Sequence, residues 1–150
     1  MKPNNQFSDA LHIVAHLVGQ CGPRTSEQLA TCLPTHPVVI RRLLAQLGKG
    51  GIVQTVRGHG GGSQLARDPA QITLLDVYHA LGSPTLLHTG VREGGRGCPV
   101  MQVVNDALDD SYRQAQALLE TRLQATTLAT LGADFAVHLA KHTSGGSHDL

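Results

Sequence analysis

The chain has no tryptophan and only two tyrosines and two phenylalanines, so aromatic residues fill 3% of its 150 positions. A core must then be built from Leu, Val and Ala, which suits packed helices. No apolar run approaches the ~18 residues of a membrane span, so no transmembrane helix is expected. The start, MKPNNQFSDALHIV, lacks the charged-then-apolar layout of a secretion signal, and a cytoplasmic location is expected. The three cysteines, Cys21, Cys32 and Cys98, stand far apart without CxxC spacing. That argues against a disulfide framework and a structural zinc finger. There is no phosphate loop, no GxSxG, no HExxH and no Ser/His/Asp set in a recognisable context, so no enzymatic activity is expected. Glycines 60–62 do not form a GxGxxG between a strand and a helix. Internal repeats are absent.

What is present divides unevenly. Apolar residues make up 41% of the chain, enough for one domain, or for a small domain plus a dimerisation element. Residues 1–70 hold seven Lys/Arg against three acids, a net of +4; residues 71–150 hold five against eight, a net of −3. A basic half followed by an acidic half implies that the first half approaches a polyanion.

Apolar residues Phe7, Leu11, Val14 and Val18 recur at helical spacing, with Ala10 and Leu17 beside them, so a first helix is expected from Gln6 to Gln20, stopped by Gly22-Pro23. Ser26, or alternatively Thr25, caps a short second helix over Glu27–Cys32. After a turn of Thr35-His36-Pro37, Pro37 fits the first position of a third helix. That helix runs to about Leu47, with Gly48 as a left-handed exit and Val39, Leu43, Leu44 and Leu47 as its apolar face. Ile52–Val56 and Ser63–Ala66 read as two strands around the glycine tip Arg57–Gly62, and Asp68-Pro69 closes this hairpin. A fourth helix comes next over Ile72–Leu81, capped by Thr73 and stopped by Gly82. The long helix expected at about 99–124 carries Val104, Leu108, Tyr112, Ala115, Leu119 and Leu123, a seam that suits a partner helix across a two-fold axis. The other use of that seam is packing on its own domain. A last helix, capped by Thr126 or Thr127, turns Leu128, Leu131, Phe135 and Leu139 inward.

The expected fold is thus mainly α with a small β-wing. It has a winged helix-turn-helix domain over 1–82, a linker and sensor loop over 83–98, a dimerisation helix and C-terminal helix over 99–141, and a disordered tail over 142–150. Such a domain reads DNA. His36, Val38, Val39, Arg41 and Arg42 lie on the first turns of the third helix, where one Arg can hold guanine in a bidentate pair and another can meet phosphate. Thr25, Ser26 and Thr35 sit at helix starts whose free amides suit phosphate. Arg57 and His59 at the wing tip suit a minor groove.

Several stretches in order resemble the Rrf2 family of bacterial winged-helix regulators, which includes the IscR, NsrR and CymR types. They are FSDALHIVAHL, RTSEQLA, HPVVIRRLLAQLGKGGIV, QTVRGHGGGSQLARDPAQITLLDVYHALG and CPVMQVVNDALDDSYRQAQALLETRLQATTLATL, together covering about residues 6–132. The resemblance implies a homodimer crossed through the long helix, a palindromic operator on double-stranded DNA, and repression. It also implies that Ser26–Cys32 and Pro37–Leu47 are the helix-turn-helix. The best known members hold an iron–sulfur cluster on three linker cysteines. This linker has one, Cys98, so a three-cysteine cluster is excluded and no cofactor is expected. A mixed site of Cys98, His88 and Asp9 or His12 of the partner is the alternative, against the preference of such clusters for thiolates.

Cys98 stands before Pro99 at the start of the long helix, whose positive end favours a thiolate, with Arg92 and Arg96 near in sequence. Thiol sensing of oxidants or electrophiles is one reading; simple packing is the other. A regulator sensing a metal or small molecule near the linker is a further alternative. Cys21 and Cys32, at helix ends near the core, read as inert. Asp9, His12 and His16 share a helix face, and two histidines four apart can share a metal ion. A solvated polar stripe is the commoner explanation for them, and the same holds for His138 and His142, which have the same spacing.

Overall fold

Local capping chemistry sets where the helices begin. In the computed structural model, which describes residues 5–87 and 97–144, the first helix α1 spans Gln6–Leu17. It stops short of the expected Gln20, because Val18 turns extended and Gly19 takes φ +72°. Helix α2 is Ser26–Ala30, and Thr25, not Ser26, is its cap. The Thr25 hydroxyl accepts from the Gln28 amide at 3.2 Å while the Gln28 side chain accepts from the Thr25 amide at 2.9 Å, a reciprocal capping box. Helix α3 spans Pro37–Lys49, with Pro37 in the first turn and His36 as cap. Gly48 lies inside this helix and is not its exit; the left-handed residue is Gly51, at φ +72°.

Strands β1 (Val53–Val56) and β2 (Gly62–Leu65) pair antiparallel, Val53 with Leu65 and Val56 with Gly62. Arg24 adds a bridge to Ser63 on the far edge of β2, its amide donating to the Ser63 carbonyl at 2.9 Å. Gly62 is required there. Its φ is +152°, and a Cβ would sit 2.5 Å from the Arg24 carbonyl oxygen. A short 3-10 turn, Pro69–Gln71, is capped by Asp68 and leads to α4, Leu74–Ala80, whose Thr73 and Asp76 form a second capping box. The two long helices are α5, Pro99–Ala125, and α6, Leu128–Ser144. Residues 142–144 of the expected tail are therefore helical, and 145–150 lie outside the described residues.

Helix α1 is the hub. It packs on α3, α4, α6 and β2, burying Ala10, Ile13, Val14 and Leu17. The face of α3 turned to it is Ile40, Leu43, Leu44 and Leu47, with Val39 only partly buried. The C-terminal helices are tied on through backbone: Leu74 donates to the Thr126 carbonyl and Leu128 to the Ile72 carbonyl, both at 2.9 Å, with Leu128 fully buried.

One expectation about the long helices changes, and the α5 seam stands open. Phe135 and Leu139 are not buried; they are 56% and 53% exposed and line an open cleft against the end of α1. Along α5 only Leu123 is buried, while Val100 is 71% and Leu118 62% exposed, and Val104 and Leu108 are also open. With 27 residues, α5 is about 40 Å long. Among the described residues, most of its apolar stripe is left without cover.

Candidate nucleic-acid interface

The site grows from the N-terminus of α3. Pro37 has no amide to offer, and His36 takes up the next three. Its Nδ1 accepts from the Val38 amide at 3.2 Å, and its carbonyl accepts from Val39 at 2.9 Å and Ile40 at 3.3 Å. The free amides expected here for phosphate are thus already used. At α2 the capping box takes the amides of Thr25 and Gln28. The amides of Ser26 and Glu27 carry no such bond, and both residues line the cleft between helix and wing.

The side chains on this surface are well placed. His36, Val38, Arg41 and Arg42 are exposed on the outer face of α3, opposite the buried Ile40, Leu43, Leu44 and Leu47. Val39 leans toward the core instead, and Thr25, Ser26 and Thr35 are half-buried. Across from α3 stands the wing, with Arg57 and His59 exposed at its tip. Between them lies a cleft of about 760 Å³, lined by Arg24, Thr25, Ser26, Glu27 and Arg41 on one side and by Thr55, Val56, Gly58 and Gly61–Ser63 on the other. The helix-turn-helix and the wing therefore form one continuous surface.

Three charged residues on this surface were not singled out from the sequence. Glu27 pairs with Arg41, Nη1 to Oε1 at 3.4 Å, both side chains being more than half exposed (57% for Arg41, 67% for Glu27). Such a pair contributes only about 0–1 kcal/mol, so phosphate or guanine can displace it. Arg24 lines the cleft and is held by Gln20, while Lys49 ends α3 at the cleft's rim. Both belong to the basic half, but their place comes from the Arg24–Ser63 bridge and from the extension of α3 past Leu47 to Lys49. Arg67 faces away from this role, its Nε donating to the Gly51 carbonyl at 3.2 Å at the wing's base.

The sensor residues are more scattered. Cys98 is the cap residue of α5, exposed, with no hydrogen bond from its side chain to the helix start. Cys21 and Cys32 are exposed as well, and so do not pack near the core as expected, because both fall in the turns flanking α2. His88, Arg92 and Arg96 lie outside the described residues. Among the described residues no three of His, Cys, Asp and Glu stand together to hold a metal ion. A single exposed thiol does not fit a thiolate-ligated iron–sulfur cluster. His12 and His16 are not simply a solvated stripe: their rings stack at 4.8 Å and His16 is half-buried.

The fold agrees with that of known proteins. The Rrf2 family model, described as an iron-dependent transcriptional regulator, matches residues 4–134. YwnA of Bacillus subtilis (strain 168), an HTH-type transcriptional regulator by name, is 33% identical over 125 residues, 83% of this chain and 92% of YwnA. A crystal structure of a transcriptional regulator from Lactobacillus plantarum superposes with a TM-score of 0.72 at 26% identity, covering 95% of this chain and 99% of that one. The IscR structure from T. potens shares the fold at a TM-score of 0.64 and 23% identity, covering 89% and 88%.

Proposed function

This chain belongs to the Rrf2 family of DNA-binding transcriptional regulators, and on that premise we propose that it is a homodimeric cytoplasmic repressor of a palindromic operator. The observation that carries the reading is the shared surface of α3 and the wing, with Arg41 and Arg42 exposed on the helix and Arg57 and His59 at the tip. Arg41 or Arg42 reads a base edge in the major groove, the other fixes register on phosphate, and the wing reaches the neighbouring groove. Dimerisation is supported by the uncovered apolar stripe of α5, where Val100, Val104, Leu108 and Leu118 stand exposed. A second copy crossing there gives the two-fold symmetry that a palindrome mirrors. Selection of bound duplexes from a random-sequence pool tests this: an inverted repeat is expected, and enrichment of no sequence, or of a single unrepeated half-site, overturns it.

Cys98 carries the response. Its exposure and its position at the positive end of a 27-residue helix support oxidant or electrophile sensing. Operator binding by wild type should change on treatment with peroxide while Cys98→Ser stays constant; equal responses of the two proteins remove this part of the proposal.

A further inference from the structure

On the α6-facing side of α1, away from the DNA surface, His12 and His16 bring their Nε2 atoms to 3.0 Å, with the rings stacked 23° from parallel. They stand at the mouth of a cleft of about 540 Å³, walled by Ala15 and Val18 of the α1 end and by Phe135 and Leu139 of α6. Two neutral imidazoles at this distance share one hydrogen bond, the donor ring giving Nε2–H and the acceptor ring its lone pair. The same geometry is a chelating bite. With metal–nitrogen bonds of about 2.1 Å, a 3.0 Å separation closes an N–metal–N angle of about 90°. Tetrahedral zinc would hold the two nitrogens about 3.4 Å apart. A right angle belongs to square-planar or octahedral ions, copper(II) and nickel(II) above all.

We propose that His12 and His16 form a two-histidine binding site for a divalent cation of the nickel(II) or copper(II) class, its remaining positions filled by water. Binding moves the donor ring's proton from Nε2 to Nδ1, which leaves both Nε2 lone pairs on the metal and releases no proton from the neutral pair. Burial lowers the proton affinity of His16, and His12 and Arg24 lower it further, so its lone pair stays available as the pH falls toward 6.5. The apolar walls limit water on one side of the pair. Gln20 lines the same cleft, but its side-chain oxygen is taken by Arg24. The two proposed ligands lie outside the DNA-binding surface, and of the residues lining that surface only Arg24 acts on the site, through His16 and Gln20.

The test is calorimetric titration of untagged, metal-free full-length protein with nickel chloride, followed by the same titration with zinc chloride. One nickel ion per chain is expected, bound more tightly than zinc. His12→Gln and His16→Gln should each weaken it about 100-fold or more, the loss expected when a chelate becomes a single ligand. The double substitution His138→Gln/His142→Gln, which removes the other pair of that spacing, should leave it unchanged, and circular dichroism confirms that each variant is folded. Unaltered nickel affinity in His12→Gln and His16→Gln, loss of binding in the α6 variant, or no binding by wild type overturns the proposal.

Discussion

Arg41 and Glu27 meet at 3.4 Å across fourteen residues of chain. Composition shows both residues, but only the angle between α2 and α3 makes them neighbours. The same holds for His12 and His16. Their one-turn spacing is legible in the sequence, whereas the cleft beside them is made by Phe135 and Leu139, over a hundred residues later. That half-burial has a consequence for pH. The proton affinity of folded His16 is lowered from the ordinary value of 6.5, first by burial and then by His12 and Arg24. Below pH 6.5 the unfolded chain takes up this proton more readily than the folded one, so stability falls with pH until the folded His16 also titrates. Urea midpoints of wild type and His16→Gln at neutral and mildly acid pH should show a smaller acid-side loss in the variant. An equal loss in both proteins would assign the acid sensitivity elsewhere.

At the scale of elements, helix starts are legible because capping is local. Pro37 in the first turn of α3 and the Thr73 cap of α4 are written in the residues themselves. Helix ends are less so: Gly48 looks like a stop, yet α3 continues to Lys49 because Leu47 is fully buried and the turn into β1 needs Gly51 instead. The apolar spacing of α6 identifies Phe135 and Leu139 as one face, but not what that face meets, since periodicity carries no information about how far the neighbouring domain extends. The wing is held by a contact the hairpin pattern does not contain, the bridge from Arg24 to Ser63. Gly62→Ala places a Cβ against the Arg24 carbonyl and strains a φ of +152°. A stability loss of about 1–3 kcal/mol is expected, measured by chemical denaturation, together with weaker binding to duplex DNA. A variant as stable as wild type would mean that the bridge does not fix the wing.

Taken as a whole molecule, the chain separates a basic reading surface from an acidic half dominated by two helices that outrun their domain. The sequence makes this division visible in its charges, +4 for residues 1–70 and −3 for the rest. It also shows the α5 seam, of which only Leu123 is buried within the chain. The proposed second copy on that stripe would give the rest of it a use. Leu108→Asp, set in the middle of the stripe, should shift sedimentation from dimer to monomer while leaving the far-ultraviolet circular dichroism of the chain intact. A dimer that survives the substitution would place the two-fold axis elsewhere.

The proposed function rests on the reading of DNA by Arg41 and Arg42, exposed on the outer face of α3. The decisive experiment is fluorescence anisotropy of a labelled operator duplex titrated with wild type and with Arg41→Ala/Arg42→Ala, beside sedimentation of both proteins. The double variant should sediment as wild type does but lose operator affinity by about 100-fold, the scale set by a bidentate guanine contact of about 1–3 kcal/mol plus a phosphate contact. A double variant that binds the operator within a few-fold of wild type would contradict this role.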